Sequence, residues 1–473
     1  MKRLALILIS AATLADGVSA QRLQVAGNQN RSFVKVDADV VAITHVRVID
    51  GTGAPARADQ TLILRDGNIA AMGPAASTAV PERATVIDGA GKSVMPGFVM
   101  LHEHLYYPTG PGVYGQLGAS FVRLYLAGGV TTMRTAGNTN GFMDFALARG
   151  TEAGTTVGPA IDATAPYLNG PQNMLQMYAL KDAGDATKMV NYWADAGATS
   201  FKAYMQITRA ELAAAIAAAH ARGLKVTGHL CSVTLGEAAD LGIDDLEHGF
   251  AAATDFFPNK QPDVCPGQLQ GQQSVIAADI NGDAVKALIK KLVDKKVALT
   301  STLTVFETFT PGRPVPPGLD VLLPELKAQF DAAYQRVASS QTSVYKQLFP
   351  KMMALEFAFA KAGGLLVAGT DPTGSGGVIP GYANQRQIEL LVEEGFTPLE
   401  AIKIATWNGA KYLGRETRIG SIAVGKQADL VLVSGDPSTS IGDVRNVDTV
   451  FRRGVGFDPV KLIDSVKGKV GLW

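Results

Sequence analysis

The stretch PGFVMLHEHLYYP, residues 96–108, sets His102 and His104 two positions apart at the end of an apolar run. At that spacing two imidazoles project from one face of a strand. They can hold a metal ion together or serve as two structural histidines at a strand terminus. Glu103 points to the opposite face and reads as a support for ligands or half of a salt bridge. TSFKAYM places Ser200, Lys202 and Tyr204 on one face, and Phe201, Ala203 and Met205 on the other. A lysine inside such a strand is costly unless something neutralises or pairs it; the ordinary alternative is a lysine at a strand end reaching solvent. His229 ends the fifth predicted strand in VTGHL, His248 ends the sixth in DLEHGF, and Asp371 closes the eighth in VAGTDP. Taken singly, each is the kind of residue that a hydrogen bond explains. Yet the chain has 6 histidines, and all but His45 and His220, which are assigned no role, fall at predicted strand ends. The joint pattern is more specific than any member of it.

Those positions need strands to carry them. Runs at 98–101, 129–135, 158–166, 199–205, 225–230, 244–248, 297–304 and 365–371 alternate with Ala-rich helical stretches such as RAELAAAIAAAHARG. Regular alternation predicts an α/β fold with a parallel sheet, and eight units predict a (β/α)8 TIM-like barrel with its chemistry at the C-terminal strand ends. An open doubly wound sheet is the alternative, weakened because no GxGxxG or phosphate loop follows the first strand. Short β-branched runs cut by glycine turns fill the region before residue 96 and return in GSIAVGKQADLVLVSGDP and VDTVFRRGVGF. They predict a small β-sandwich domain built from both termini. The expected division is a signal peptide at 1–20, the first part of the β domain at 36–95, a barrel at 96–414, and the second part with a tail at 415–473. The stretch from Phe250 to Lys296 reads as a long loop, a lid or binding element.

Lys plus Arg and Asp plus Glu number 43 each. Such a balance offers no bulk field for nucleic acid or an anionic membrane, so neither is expected as a partner. Met1-Lys2-Arg3, the apolar run from Leu4 to Ala15 and the small residues Val18-Ser19-Ala20 form a secretory signal pattern. They predict a periplasmic or secreted protein that begins near Gln21. Cys231 and Cys265 could pair in an oxidising compartment; the plainer reading is two separate thiols, one of them buried.

The ordered set HEH, SFKAYM, GHL, EHG and GTD resembles the amidohydrolase superfamily, in particular its two-metal members with a carboxylated lysine, and within it the imidazolonepropionase-like and prolidase-like branch. The flanks VMPGFVMLHEH and GFTPLEAIKIATWNGAKYLG, followed by GSIAVGKQADLVLV, agree. The resemblance implies two divalent metal ions, zinc by ligand type, with His102, His104 and Asp371 on one and His229 and His248 on the other. Lys202, N-carboxylated by carbon dioxide, would bridge them as an anion with two oxygens, where a bare ammonium would repel them. The resemblance further implies attack of a metal-bridging hydroxide on the scissile carbonyl, with Asp371 passing the proton to the leaving nitrogen.

Tyr204, on the face of Lys202, either donates a hydrogen bond to the carbonyl oxygen or packs as an ordinary barrel tyrosine. Tyr106, Arg134, Tyr167 and Arg386 are further candidates for substrate contact. An arginine among them could clamp a carboxylate, although surface or helix pairing is its commoner fate. The expected function is an exported metal-dependent hydrolase acting on a small-molecule amide substrate, the C–N bonds of small peptides or N-acyl amino acids. Cyclic amides, esters, lactones or carbamates are the alternative at the same site. Presence of all six ligand positions argues against a non-catalytic binding barrel. A mononuclear deaminase is disfavoured by Lys202 and because Leu230, Cys231 and Ser232, not an acid, follow His229. The resemblance favours a homo-oligomer.

Overall fold

The computed structural model describes residues 21–110, 112–171 and 176–472, so the expected signal peptide lies outside the described residues. Eight strands carry the candidate residues: β1 (Phe98–Glu103), β2 (Val130–Thr135), β3 (Ala160–Asp162), β4 (Ser200–Ala203), β5 (Lys225–Gly228), β6 (Asp245–Glu247), β7 (Ala298–Ser301) and β8 (Leu366–Ala368). All are parallel and follow one another in chain order, β3-β2-β1 in one sheet and β4 to β8 in a second. The expected single ladder is therefore interrupted twice. At one gap the sheets meet through an isolated bridge between Thr164 and Ser200. At the other, the backbone N–H groups of Thr370 and Asp371 both donate to the carbonyl of His102, each at 3.0 Å.

That second junction depends on Gly369. A Cβ there would lie 2.3 Å from the Cβ of His102, so only glycine lets the end of β8 approach β1 closely enough for those hydrogen bonds. β1 and β2 are buried at every position, as parallel strands covered on both faces must be. After β4 and β5 the chain turns directly into helices Arg209–His220 and Leu235–Leu241. Capping boxes start them, Thr208 with Glu211 and Thr234 with Glu237, which satisfy the first free N–H groups of each helix.

The stretch after β6 is not the open loop expected of it. It contains helices Gln268–Ala277 and Asp283–Asp294. The second buries Val285, Leu288, Ile289 and Leu292, an i, i+3, i+4, i+7 stripe that packs it as the helix between β6 and β7. The small domain is a sheet domain in which strand Val40–Val48 pairs with three others, Arg57–Arg65, Thr85–Asp88 and Lys92–Pro96. One nine-stranded sheet combines strands from both ends of the chain. Its seam is the antiparallel pairing of Lys92–Pro96 with Leu430–Ser434. Among the described residues no helix is long and apolar enough to cross a membrane.

Two helices beside the parallel strands, Tyr345–Lys361 and Tyr382–Glu394, each carry an inward carboxyl, Glu356 and Glu394. Burial pushes Glu356 up to about 8, against a hydrogen bond from Ser301. Burial and then the nearby charge of Glu356 push Glu394 up to about 10. Both groups hold protons more tightly when folded than when unfolded. Their contribution is complete below the ordinary glutamate value of 4.5 and is lost as pH rises through these values. The slope is at most about 1.4 kcal/mol per pH unit for each proton. Glu356→Gln should therefore flatten the fall in Tm between pH 6 and pH 9. Melting curves with an unchanged decline would show that the pair does not stay protonated.

Candidate active site

His102 and His104 stand at and just beyond the end of β1, and Asp371 lies three residues past β8. Their ligand atoms all lie within 4.8 Å of one another, and all three residues are buried. The ring orientations are fixed from behind. His102 donates from Nδ1 to Oε2 of Glu247 at 2.6 Å, and His104 donates from Nδ1 to the carbonyl of Gly137 at 3.1 Å. Each Nε2 is thereby left as a lone pair. The two lone pairs face Oδ1 of Asp371 at 3.7 Å and 3.2 Å. That oxygen is buried and accepts no hydrogen bond among the described residues. Two imidazole nitrogens and a carboxylate oxygen converge here, with the Tyr106 hydroxyl 3.4 Å from Nε2 of His104, and this nitrogen and oxygen donor set fits a divalent metal.

His248 follows β6, with Nδ1 2.8 Å from the hydroxyl of Thr302. Its ring centroid lies 4.4 Å from that of His229, just past β5, and 4.5 Å from that of His102. Lys202, on β4, is buried with Nζ 3.5 Å from Oε1 of Glu247. All six predicted ligands line one cleft. Burial lowers the Lys202 ammonium below its ordinary value, although Glu247 and Asp371 pull the other way. Burial opposes ionisation of Asp371, but His102 and His104 hold its carboxyl well below the usual range. Both His248 and Asp371 have left-handed backbones, φ 66° and 57°. Non-glycine residues adopt that conformation at some cost, and such residues cluster at working sites.

Glu247 has no counterpart in the sequence-level candidates. It sits beneath the histidines, accepting from His102 and, at 2.9 Å, from Nη2 of Arg134. Arg134 also donates to Asp245 at 3.0 Å and to the carbonyl of Leu101 at 2.7 Å. This arginine is therefore committed below the site and is no substrate clamp. Arg386 is not free either: it pairs with Glu307 and Glu389. Glu103 points away from the ligands, as the strand period requires. It accepts from the hydroxyl of Thr370 and, at 2.9 Å, from Asn384, and makes no salt bridge among the described residues. The sequence signal for Glu247 was its place one residue before His248, on the opposite strand face, the same relation that Glu103 bears to His102 and His104.

Above the ligands the wall is aromatic. Tyr106 stacks on His104 with centroids 4.4 Å apart and hydrogen-bonds to the hydroxyl of Tyr167. Tyr204 packs edge-on against His229 and Tyr167, at 4.9 Å and 5.1 Å. Cys231 and Cys265 are not separate thiols: they form a disulfide with Cα atoms 4.9 Å apart. The bond ties the chain beyond β5 to the segment entering helix Gln268–Ala277, and Gln268 reaches the cleft. His45 and His220 lie elsewhere, paired with Asp59 and Asp244.

A carboxylate behind a metal-binding imidazole fixes both its tautomer and its aim, and losing one typically costs about 10- to 100-fold in metal affinity. Glu247→Gln should weaken metal binding by about that factor while leaving the far-ultraviolet circular dichroism unchanged. Titration with a competing chelator measures it; wild-type affinity would remove Glu247 from the support of His102.

The profile of the Amidohydrolase family matches residues 93–456. Among curated proteins the chain is similar to adenine deaminase 3 of Rhizobium meliloti, 24% identical over 375 residues, 78% of this chain and 50% of that protein. The chain thus spans about half the length of the curated relatives it matches most extensively. Among solved structures it is similar to bottromycin amidohydrolase, with TM-score 0.68 and 21% identity, covering 94% of each chain. It is also similar to a Xaa-Pro dipeptidase with methionine bound in the active site, with TM-score 0.66, 19% identity, and 89% and 100% of the two chains covered. Likeness at those identities speaks for the fold, whereas the family profile spans both the parallel strands and the seam of the small sheet. The chain belongs to the Amidohydrolase family.

Proposed function

We propose that this protein is a metal-dependent hydrolase of amide C–N bonds in small molecules, with small peptides and N-acyl amino acids as the starting class. The observation that carries the reading is the convergence of His102, His104 and Asp371, whose ligand atoms lie within 4.8 Å of one another in a buried cluster where Oδ1 of Asp371 accepts no hydrogen bond among the described residues. We read the two parallel sheets as the halves of one (β/α)8 barrel, which accounts for every candidate ligand standing at or past a C-terminal strand end.

In this reading His102, His104 and Asp371 hold one divalent ion and His229 and His248 a second, with zinc suited to imidazole and carboxylate donors. Lys202 joins the two as its carbamate, formed with carbon dioxide. Its place in the cleft beside four histidines supports this, because ions bound there would repel an ammonium and attract an anionic carbamate. When bound, the ions would supply Lewis acidity toward the scissile carbonyl and make water acidic enough to attack near neutral pH. Asp371 accepts the proton of the attacking water and returns it to the departing nitrogen. Tyr204, on the face of Lys202 and within the cleft, donates to the carbonyl oxygen. Glu247 keeps His102 aimed throughout.

The position after His229 that a deaminating acid would occupy holds Leu230 and the disulfide-bonded Cys231, which favours hydrolysis of an acyl bond over deamination. The same disulfide supports an exported location, since such bonds persist in oxidising compartments. A mature protein from the periplasmic fraction with a mass beginning at Gln21 would bear that out; one retaining residues 1–20 would refute it.

A mass-spectrometric hydrolysis panel of dipeptides, N-acyl amino acids, cyclic amides and esters tests the reaction. Release of amine from open-chain amides that stops on chelation is the expected result; turnover of rings or esters alone would overturn the bond assignment. Lys202→Ala should lose most activity and part of the metal, with partial rescue by short carboxylic acids. A fully active Lys202→Ala protein holding two ions would remove the bridge. Asp371→Asn should fold normally and lose at least about 100-fold in kcat, the usual scale of a missing proton-transfer group.

A further inference from the structure

The cleft above the candidate ligands has a cavity of about 290 Å³ and opens to solvent, room for a small-molecule substrate. Its charge inventory is unusual for a site expected to take peptides. Apart from the six candidate ligands, the described residues that line it include no lysine, arginine, aspartate or glutamate. The arginines that might have reached in are spent. Arg134 is bound to Asp245 and Glu247 beneath the histidines, and Arg386 and Arg313 are both bound to Glu307. Arg336 is exposed and lines an adjoining surface groove instead.

What the cleft offers is aromatic and apolar surface. Tyr106, Tyr114, Tyr167 and Tyr204 form one wall, with Val305, Phe306, Phe309 and Tyr345 also lining it. A narrow side lobe, a cavity of about 40 Å³, opens beside His229 and His248, walled by Met205, Leu230, Ala251 and Phe306. Its polar groups are partly engaged already: Thr254 donates to the carbonyl of Cys231 at 3.0 Å, and Gln272 donates to the hydroxyl of Tyr345 at 3.1 Å. The Cys231–Cys265 bond holds this lobe in place from behind.

The scissile carbonyl must occupy the one cationic locus that the reading above provides. A second anionic group on the substrate would then lie among aromatic rings without a counter-charge, and such burial is strongly unfavourable. Neutral aryl and branched alkyl groups gain from the same walls.

We propose, resting on the amide-hydrolase reading and narrowing its starting class, that the site selects uncharged amides carrying aromatic or apolar groups, such as end-blocked peptides, amides of N-acyl amino acids and aryl amides, over the corresponding free acids with a carboxylate beside the scissile bond. The reaction adds water across the C–N bond. The acyl carbon keeps the hydroxyl and leaves as a carboxylic acid that ionises, and the nitrogen takes the proton and leaves as an amine. Beyond the candidate ligands, the anionic product then finds no cationic side chain in the described lining to retain it.

A matched pair isolates the carboxylate: N-(2-phenylethyl)benzamide and N-benzoyl-phenylalanine share the scissile bond and both rings. Two readouts are taken, kcat/KM with the metal-loaded protein and equilibrium binding to metal-loaded Asp371→Asn. The neutral amide should be favoured by at least about ten-fold in both. Gln268→Arg, which places a cation in the cleft, should shrink that ratio by about ten-fold. Equal or tighter binding of the acid, no binding of either compound, or a ratio indifferent to Gln268→Arg would overturn the proposal. Tighter binding of the neutral amide without turnover of either compound would uphold the selectivity and sink the hydrolase reading. Turnover of both with the acid preferred would do the reverse.

Discussion

The buried carboxylate of Glu247 is the constraint on which the centre of this protein turns. Deep inside the parallel strands, it accepts from His102 at 2.6 Å and from Arg134 at 2.9 Å, with the Lys202 amine 3.5 Å away. A carboxylate in such a place would be untenable alone, and so would the arginine. Together they tie β1, β2, β4 and β6 into one rigid ionic layer. Three consequences follow. His102 is held with Nε2 toward the cleft, Arg134 is withdrawn from any contact with substrate, and Lys202 lies within reach of the histidine cluster.

Above that layer, Asp371 is brought in by a backbone device. Gly369 allows β8 to close on β1, two N–H groups converge on the carbonyl of His102, and the left-handed turn at Asp371 swings its carboxylate across to both histidines. His248 uses the same left-handed turn at the end of β6. Costly backbone at two candidate ligands is tolerated because the surrounding strands are buried and hydrogen-bonded on all sides. The site is preorganised by strand ends rather than by loops, and this keeps its lone pairs opposed across 3.2 Å and 3.7 Å.

Charge and apolar surface are therefore stacked in layers. Ions pair below, ligands occupy the middle, and tyrosines and phenylalanines form the upper walls. The disulfide and helix Gln268–Ala277 complete the side of the cleft next to His229 and His248. The small sheet from the two chain ends contributes no residue to the lining of the cleft, so its sequence can vary without touching the chemistry there.

Strand period and residue type are local properties, and the chain carries them plainly. The eight parallel runs, the shared face of His102 and His104, the outward turn of Glu103, and the strand-end positions of Lys202, His229, His248 and Asp371 all follow from alternation along short segments. The stripe of Val285, Leu288, Ile289 and Leu292 was equally legible as a helix, but was masked by the glutamine- and glycine-rich stretch before it. Other features depend on contacts between segments far apart in the chain. Glu247 meets His102 across 145 residues and Arg134 across 113. Cys231 meets Cys265 only because the turn after β5 and the segment after β6 lie side by side. Two sheets in place of one ladder, and a cleft without a free arginine among the described residues, were likewise decided by the tertiary structure. The physical reason is that a sequence period determines which face a side chain takes, whereas a buried charge takes whichever partner the closed fold brings within about 3 Å.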